Sequence, residues 1–237
     1  MRFLRALAAN LILLFALALI YAAVIFAVVK CGARPREHPP VDVVFVFDTT
    51  GSMQDKIDGL LAISSRFAGR LAGAGIDSRL AMVAFGAADE PRVIRQTFSP
   101  NGKVAAFQRF LRGTRAGGGG REDQPTAVEH ALSSFTYRPE ARKIMILITD
   151  ERLLGNESYT AGNIADPRAR QAKVDWDAAI EELVAREFTV YAVCVPDEPF
   201  QRMADRTGGK FYDILRDRDF TGIVMDIAEQ IDASLTR

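Results

Sequence analysis

Two runs of this chain are apolar on both faces and then meet an aspartate: V-D-V-V-F-V-F-D at 41–48 and K-I-M-I-L-I-T-D at 143–150. A strand with one wet face alternates apolar and polar residues. A near-continuous apolar run needs cover on both faces, and parallel sheets obtain it from crossover helices. Such runs exclude an open antiparallel sheet and demand helices in the intervals between strands.

The intervals supply them. Ile57, Leu60, Leu61, Phe67, Ala68 and Leu71 recur at helical spacing, so a helix is expected over Met53–Ala72. Further helices are expected at Val104–Leu111, Pro125–Leu132, Lys173–Arg186, Pro199–Arg206 and Phe220–Leu235. Strands are expected at Arg79–Phe85, Phe188–Val195 and Lys210–Tyr212, with Glu151–Arg170 irregular. Arg92–Phe98 alternates polar and apolar residues behind a hairpin-sized gap, which suits one antiparallel edge strand. The pattern predicts an α/β fold with a doubly wound, mostly parallel sheet.

A separate element precedes it. Leu7–Val29 is almost continuously apolar and as a helix would be roughly 35 Å long, enough to cross a hydrocarbon core of about 30 Å. Cleaved signals have shorter apolar regions. The expected organisation is an anchor at 1–30, a Pro-rich spacer at 31–40 and a folded domain at 41–237. A short basic amino terminus favours placing that domain outside the cytoplasm, on a single-pass membrane protein.

Lys plus Arg equals Asp plus Glu at 30 each, which gives no electrostatic footprint for nucleic acid. With two cysteines, Cys31 and Cys194, neither a disulfide framework nor a thiolate metal site is indicated. No G-x-x-x-x-G-K-[ST] loop occurs, so no nucleotide is expected.

Open α/β sheets bind ligands beyond the carboxyl ends of their strands, where strand order reverses. Asp48, Thr50 and Ser52 stand there after the first strand and Asp150 after the later one. A glycine loop, Gly117–Gly120, leads to Asp123 and Thr126. This inventory holds oxygens only, which favours magnesium, manganese or calcium over zinc or copper. Bland readings stand beside it. Asp48, Thr50 or Ser52 could cap the next helix, Asp123 could cap its own, and Asp150 could form a turn.

D-T-T-G-S-M after an apolar strand, a glycine-rich loop with D-Q-P-T-A-V, and a strand ending T-D resemble, in order, the metal-ion-dependent adhesion site of von Willebrand factor type A domains. The resemblance spans Val41 to Arg237. It implies that Thr50 and Ser52 coordinate a divalent cation directly, with Asp48 and Asp150 acting through waters and hydroxyl hydrogen bonds. Asp123, rather than Thr126, would complete the set. It further implies a non-enzymatic adhesion or assembly module whose ion, most plainly magnesium, takes a carboxylate from a protein ligand.

Other classes fit less well. A haloacid-dehalogenase-type phosphatase has a second aspartate where Thr50 stands. In a flavin phosphate loop, Asp48 would repel the phosphate. A degenerate scaffold without metal is the remaining alternative.

Overall fold

The computed structural model describes residues 38–86, 94–96, 104–117, 123–153, 167–216 and 219–235. The expected membrane anchor and most of the spacer lie outside them. Among the described residues no helix is long and apolar enough to cross a membrane.

The strands are β1 (Val41–Asp48), β2 (Ser78–Phe85), β3 (Ile94–Gln96), β4 (Arg142–Thr149), β5 (Phe188–Cys194) and β6 (Lys210–Asp213). The helices are α1 (Gln54–Gly73), α2 (Val104–Gly113), α3 (Gln124–Ser133), α4 (Pro167–Ala185), α5 (Glu198–Arg206) and α6 (Phe220–Leu235). The sheet order is β3-β2-β1-β4-β5-β6. Five strands run parallel, and the three-residue β3 pairs antiparallel with β2, Met82 opposite Gln96. Strand order reverses between β1 and β4, so the crevice of this Rossmann-like sheet opens where those two strands end.

Every residue of β1 is buried, as the apolar run requires. The helices form two packed groups, α1 with α2 and α6, and α4 with α3 and α5. Phe45 of β1 meets Phe67 of α1 edge-on at 5.7 Å and Phe107 of α2 at 5.2 Å. In the other group Trp176 of α4 is buried, stacks edge-on against Phe200 of α5 at 5.5 Å, and donates its indole N–H to the Pro199 carbonyl at 3.2 Å. Trp176 is therefore a packing residue. Helix α4 begins at Pro167, earlier than the expected Lys173. Its opening turns are polar and show no apolar period, and proline suits a first turn because its missing N–H would be unpaired there anyway.

At the amino ends of the strands, Asp42 is fully buried inside the apolar run of β1. Arg138 reaches it with its guanidinium at 2.7 Å, and Arg79 at 3.2 Å. At the far side of the sheet, Gly208 (φ +70°) turns the chain out of α5, and Gly209 leads into β6. A Cβ on Gly209 would lie 1.8 Å from the Val190 carbonyl oxygen of β5, where neither backbone can yield without breaking the strand pair. Gly209→Ala is expected to cost on the order of 3 kcal/mol by overpacking. In thermal unfolding, Gly73→Ala, with nothing within 4 Å of the new methyl, should leave the midpoint near wild type.

Candidate functional site

Asp48 is the last residue of β1 and is fully buried. The chain leaves the sheet through Thr49, whose N–H and hydroxyl both donate to the Phe85 carbonyl at the end of β2, at 2.8 and 2.7 Å. That double tie directs Thr50 back over Asp48. The Thr50 N–H and hydroxyl donate to Asp48 Oδ1 at 2.8 and 2.7 Å. From the neighbouring strand, Thr149 donates its hydroxyl to Asp48 Oδ2 at 2.8 Å. A 3-10 turn at Gly51–Met53 then carries Ser52 into the crevice, where its hydroxyl donates to Asp150 Oδ1 at 3.0 Å.

These bonds decide one of the bland readings. Neither Thr50 at the start of the 3-10 turn nor Met53 at the start of α1 makes a side-chain cap. The hydroxyls of Thr50 and Ser52 are spent on carboxylates instead. A carboxylate only accepts, so each hydroxyl must donate its proton and keeps its lone pairs for another partner.

Asp123 shows the opposite outcome. Its carboxylate Oδ1 accepts the Thr126 N–H at 3.1 Å, which makes it the N-cap of α3. Its own N–H reaches the Gly86 carbonyl, just past β2, at 3.3 Å. The structure thus brings Asp48, Thr50, Ser52 and Asp150 together by direct hydrogen bonds and attaches Asp123 to the same end of the sheet without such a bond. Among the described residues no three or more His, Cys, Asp or Glu side chains group to hold a metal ion. Carboxylates alone do not make a centre here, and hydroxyls would have to supply the remaining ligands.

Burial is the main force on Asp48 and pushes its carboxyl above the ordinary range. The Thr50 and Thr149 donors pull it back, and the nearby charge of Asp150 adds to the rise. Among the described ion pairs none offers Asp48 or Asp150 a lysine or arginine. Two adjacent carboxylates, one of them buried, therefore stand without a cationic side chain among the described residues. An oxygen-only donor set with excess negative charge fits a hard divalent ion. Cys194, at the end of β5, is a free buried thiol; burial pushes it well up and the charges of Asp197 and Asp48 add to that.

Sequence reasoning passed over several residues that build this site. Thr149 is the T of the T-D pair, but its grip on Asp48 depends on the β1–β4 register, Phe47 opposite Ile148. Gln54 accepts the Ala116 N–H at 3.1 Å, and the Gly117 N–H donates to the Thr49 carbonyl at 2.9 Å, so the start of the glycine loop is fastened beside Asp48. No local pattern signals either contact.

A family model described as von Willebrand factor type A domain matches residues 42–225. No curated protein matches the chain. Among solved structures, a point mutant of the PilB minor pilin from Streptococcus sanguinis superposes with a TM-score of 0.57 at 18% identity, covering 83% of this chain and 62% of that one. The pilus adhesin SpaC from Lactobacillus rhamnosus GG gives 0.56 at 16% identity, covering 83% and 30%. An aerotolerance-related membrane protein from Bacteroides fragilis gives 0.51 at 14% identity, covering 81% and 99%. The chain thus spans less than two thirds of the two pilus proteins. At these identities the likeness is one of fold.

Proposed function

The chain belongs to the von Willebrand factor type A domain family, and from that premise we propose that it is a membrane-tethered protein-binding module, not an enzyme, that captures an acidic side chain of its partner through a divalent cation. Thr50 and Ser52 would hold the ion through their hydroxyl oxygens, with Asp48 and Asp150 behind them. Asp123 would approach with its Oδ2, which has no partner among the described residues while Oδ1 caps α3. The ion would keep one position for the ligand carboxylate. Magnesium suits this set, with manganese or calcium as substitutes.

One observation carries the reading: the Thr50 and Ser52 hydroxyls each donate to a carboxylate that no described cation neutralises. Hydroxyls arranged this way offer lone pairs outward, backed by negative charge, which is what a hard cation requires. Among the proteins that share the fold, one is a pilus adhesin and another a membrane protein. The anchor at 1–30 would present the domain at the outer face of a membrane.

The test is capture of partners from solubilised membranes by the full chain in magnesium, and again after chelation. Capture lost on chelation and restored by magnesium or manganese is the expected result. Capture insensitive to chelator would favour the metal-free scaffold, a reading that the capping role of Asp123 supports.

A further inference from the structure

The segment after β4 carries Asp150 and has no regular secondary structure through Leu153, yet three successive residues of it are tied by side chains from three different places. Thr149 Oγ1, at the end of β4, accepts the Glu151 N–H at 3.2 Å. Gln124, the first residue of α3 and fully buried, donates from Nε2 to the Arg152 carbonyl at 3.1 Å. Asp197, between β5 and α5 and 4% exposed, accepts the Leu153 N–H with Oδ2 at 3.1 Å. The Leu153 side chain is itself buried in the core.

Two of these ties are unusual uses of their residues. Asp197 occupies the N-cap position of α5, where an aspartate ordinarily accepts from its own helix, but it makes no side-chain cap. Gln124 is a long polar side chain without exposure at the opening of a helix, and it points across to another loop. Both give buried hydrogen-bonding capacity to the backbone just beyond Asp150. A carboxylate that must stay within 3.0 Å of Ser52 Oγ on an irregular segment needs such support, because loop backbone otherwise samples many conformations.

We infer that Gln124 and Asp197 are positioning residues of the cation site: they clamp the backbone at Arg152 and Leu153, and so hold Asp150 against the Ser52 hydroxyl. Neither touches the ion. This rests on the cation-dependent reading above. Groups that orient metal ligands from behind typically account for about 10–100-fold in metal affinity when removed. What Asp197 contributes is its acceptor oxygen, so asparagine should serve in its place. What Gln124 contributes is its amide donor, so glutamate, which accepts only, should not.

The experiment is manganese binding to the purified full chain, followed by the electron paramagnetic resonance of the free ion, for wild type, Asp197→Asn, Asp197→Ala, Gln124→Glu and Gln124→Ala. Affinity weakened about 10–100-fold in Asp197→Ala and in both Gln124 variants, with Asp197→Asn restored to within roughly threefold of wild type, is the expected pattern. Thermal unfolding in chelator identifies any variant that fails to fold, and Asp197→Asn then decides for its position. Wild-type affinity in folded Asp197→Ala and Gln124→Ala would overturn the inference and leave the parent reading intact. An Asp197→Asn variant that is folded yet as weak as the alanine variant would also overturn it, by making charge rather than positioning the contribution. No manganese binding by wild type would overturn the parent reading and this one with it.

Discussion

Asp48→Asn is expected to abolish divalent-cation binding, and with it cation-dependent capture of a partner, while the metal-free domain stays folded and no less stable than wild type. The amide has the shape of the carboxylate it replaces. Its oxygen can keep both donors from Thr50, and its nitrogen can donate to Thr149 Oγ1, which already accepts from the Glu151 N–H. The charge that is lost is fully buried without a described cation beside it, and its removal offsets the acceptor lost to the Thr149 hydroxyl proton. Calorimetric titration with magnesium or manganese measures the first half of the prediction, and thermal unfolding in chelator the second. A variant that still binds the ion at wild-type affinity would remove Asp48 from the site.

The pH dependence follows from the same burial. The Asp48 carboxyl in the fold lies above its ordinary range, chiefly through burial, so the native state holds this proton more tightly than the unfolded chain. Its contribution to stability is complete below the unfolded value and is lost as pH rises through the native one. A cation needs the ionised form. Its affinity should therefore rise with pH across that interval, and binding should release protons. Asp48→Asn should flatten the dependence of stability on pH in the metal-free protein.

Arg138→Ala is expected to produce the largest loss of stability, about 3–5 kcal/mol, because it strips a buried charge of its main partner. Asp42 is fully buried. Arg138 gives it Nε at 2.9 Å, Nη2 at 2.7 Å and its backbone N–H at 2.7 Å. The same guanidinium holds Asp77 Oδ2 at 2.9 Å and the carbonyls of Val41 and Asp77 at 3.0 and 3.1 Å. One side chain thus joins the start of β1, the loop before β2 and the loop before β4. Arg79 remains after the substitution but approaches from farther away, with Nε 3.2 Å from Oδ1 and Nη2 3.5 Å from Oδ2.

For a domain of this size that loss corresponds to a midpoint roughly 6–20 °C lower. Arg138→Lys should fall between, since a point charge cannot reproduce the fork. Cation affinity of the folded fraction should be untouched, as the network and the site stand at opposite ends of β1, about 20 Å apart along the strand. A loss below about 1 kcal/mol, the scale of an exposed pair, in denaturant unfolding would show that the Asp42 charge is not desolvated.

The elements were legible to the extent that their residues answer to one period. β1 and β4 announce themselves by near-continuous apolar runs, and α1 by its stripe from Ile57 to Leu71. The opening of α4 was not legible, because Pro167 and the residues after it carry no apolar stripe. Asp42 was legible only as an interruption in β1; nothing local says that Arg138, far along the chain, will meet it.

The candidate site divides in the same way. The chain order D-T-T-G-S places Asp48, Thr50 and Ser52 within one turn, so covalent geometry alone delivers three oxygens to the end of a buried strand. Sequence by itself therefore determined the fold class, the strand that bears the site and the oxygen-only chemistry at its mouth. Whether those hydroxyls cap a helix or turn to carboxylates was decided by tertiary structure, because the acceptors that claim them are a carboxylate on another strand's end and one buried between β1 and β4. Asp123, with the same credentials on paper, was claimed by the nearest orphan N–H of its own helix. A side-chain oxygen goes to whichever donor or acceptor the packed sheet brings within about 3 Å, and pairing between distant strands sets that distance.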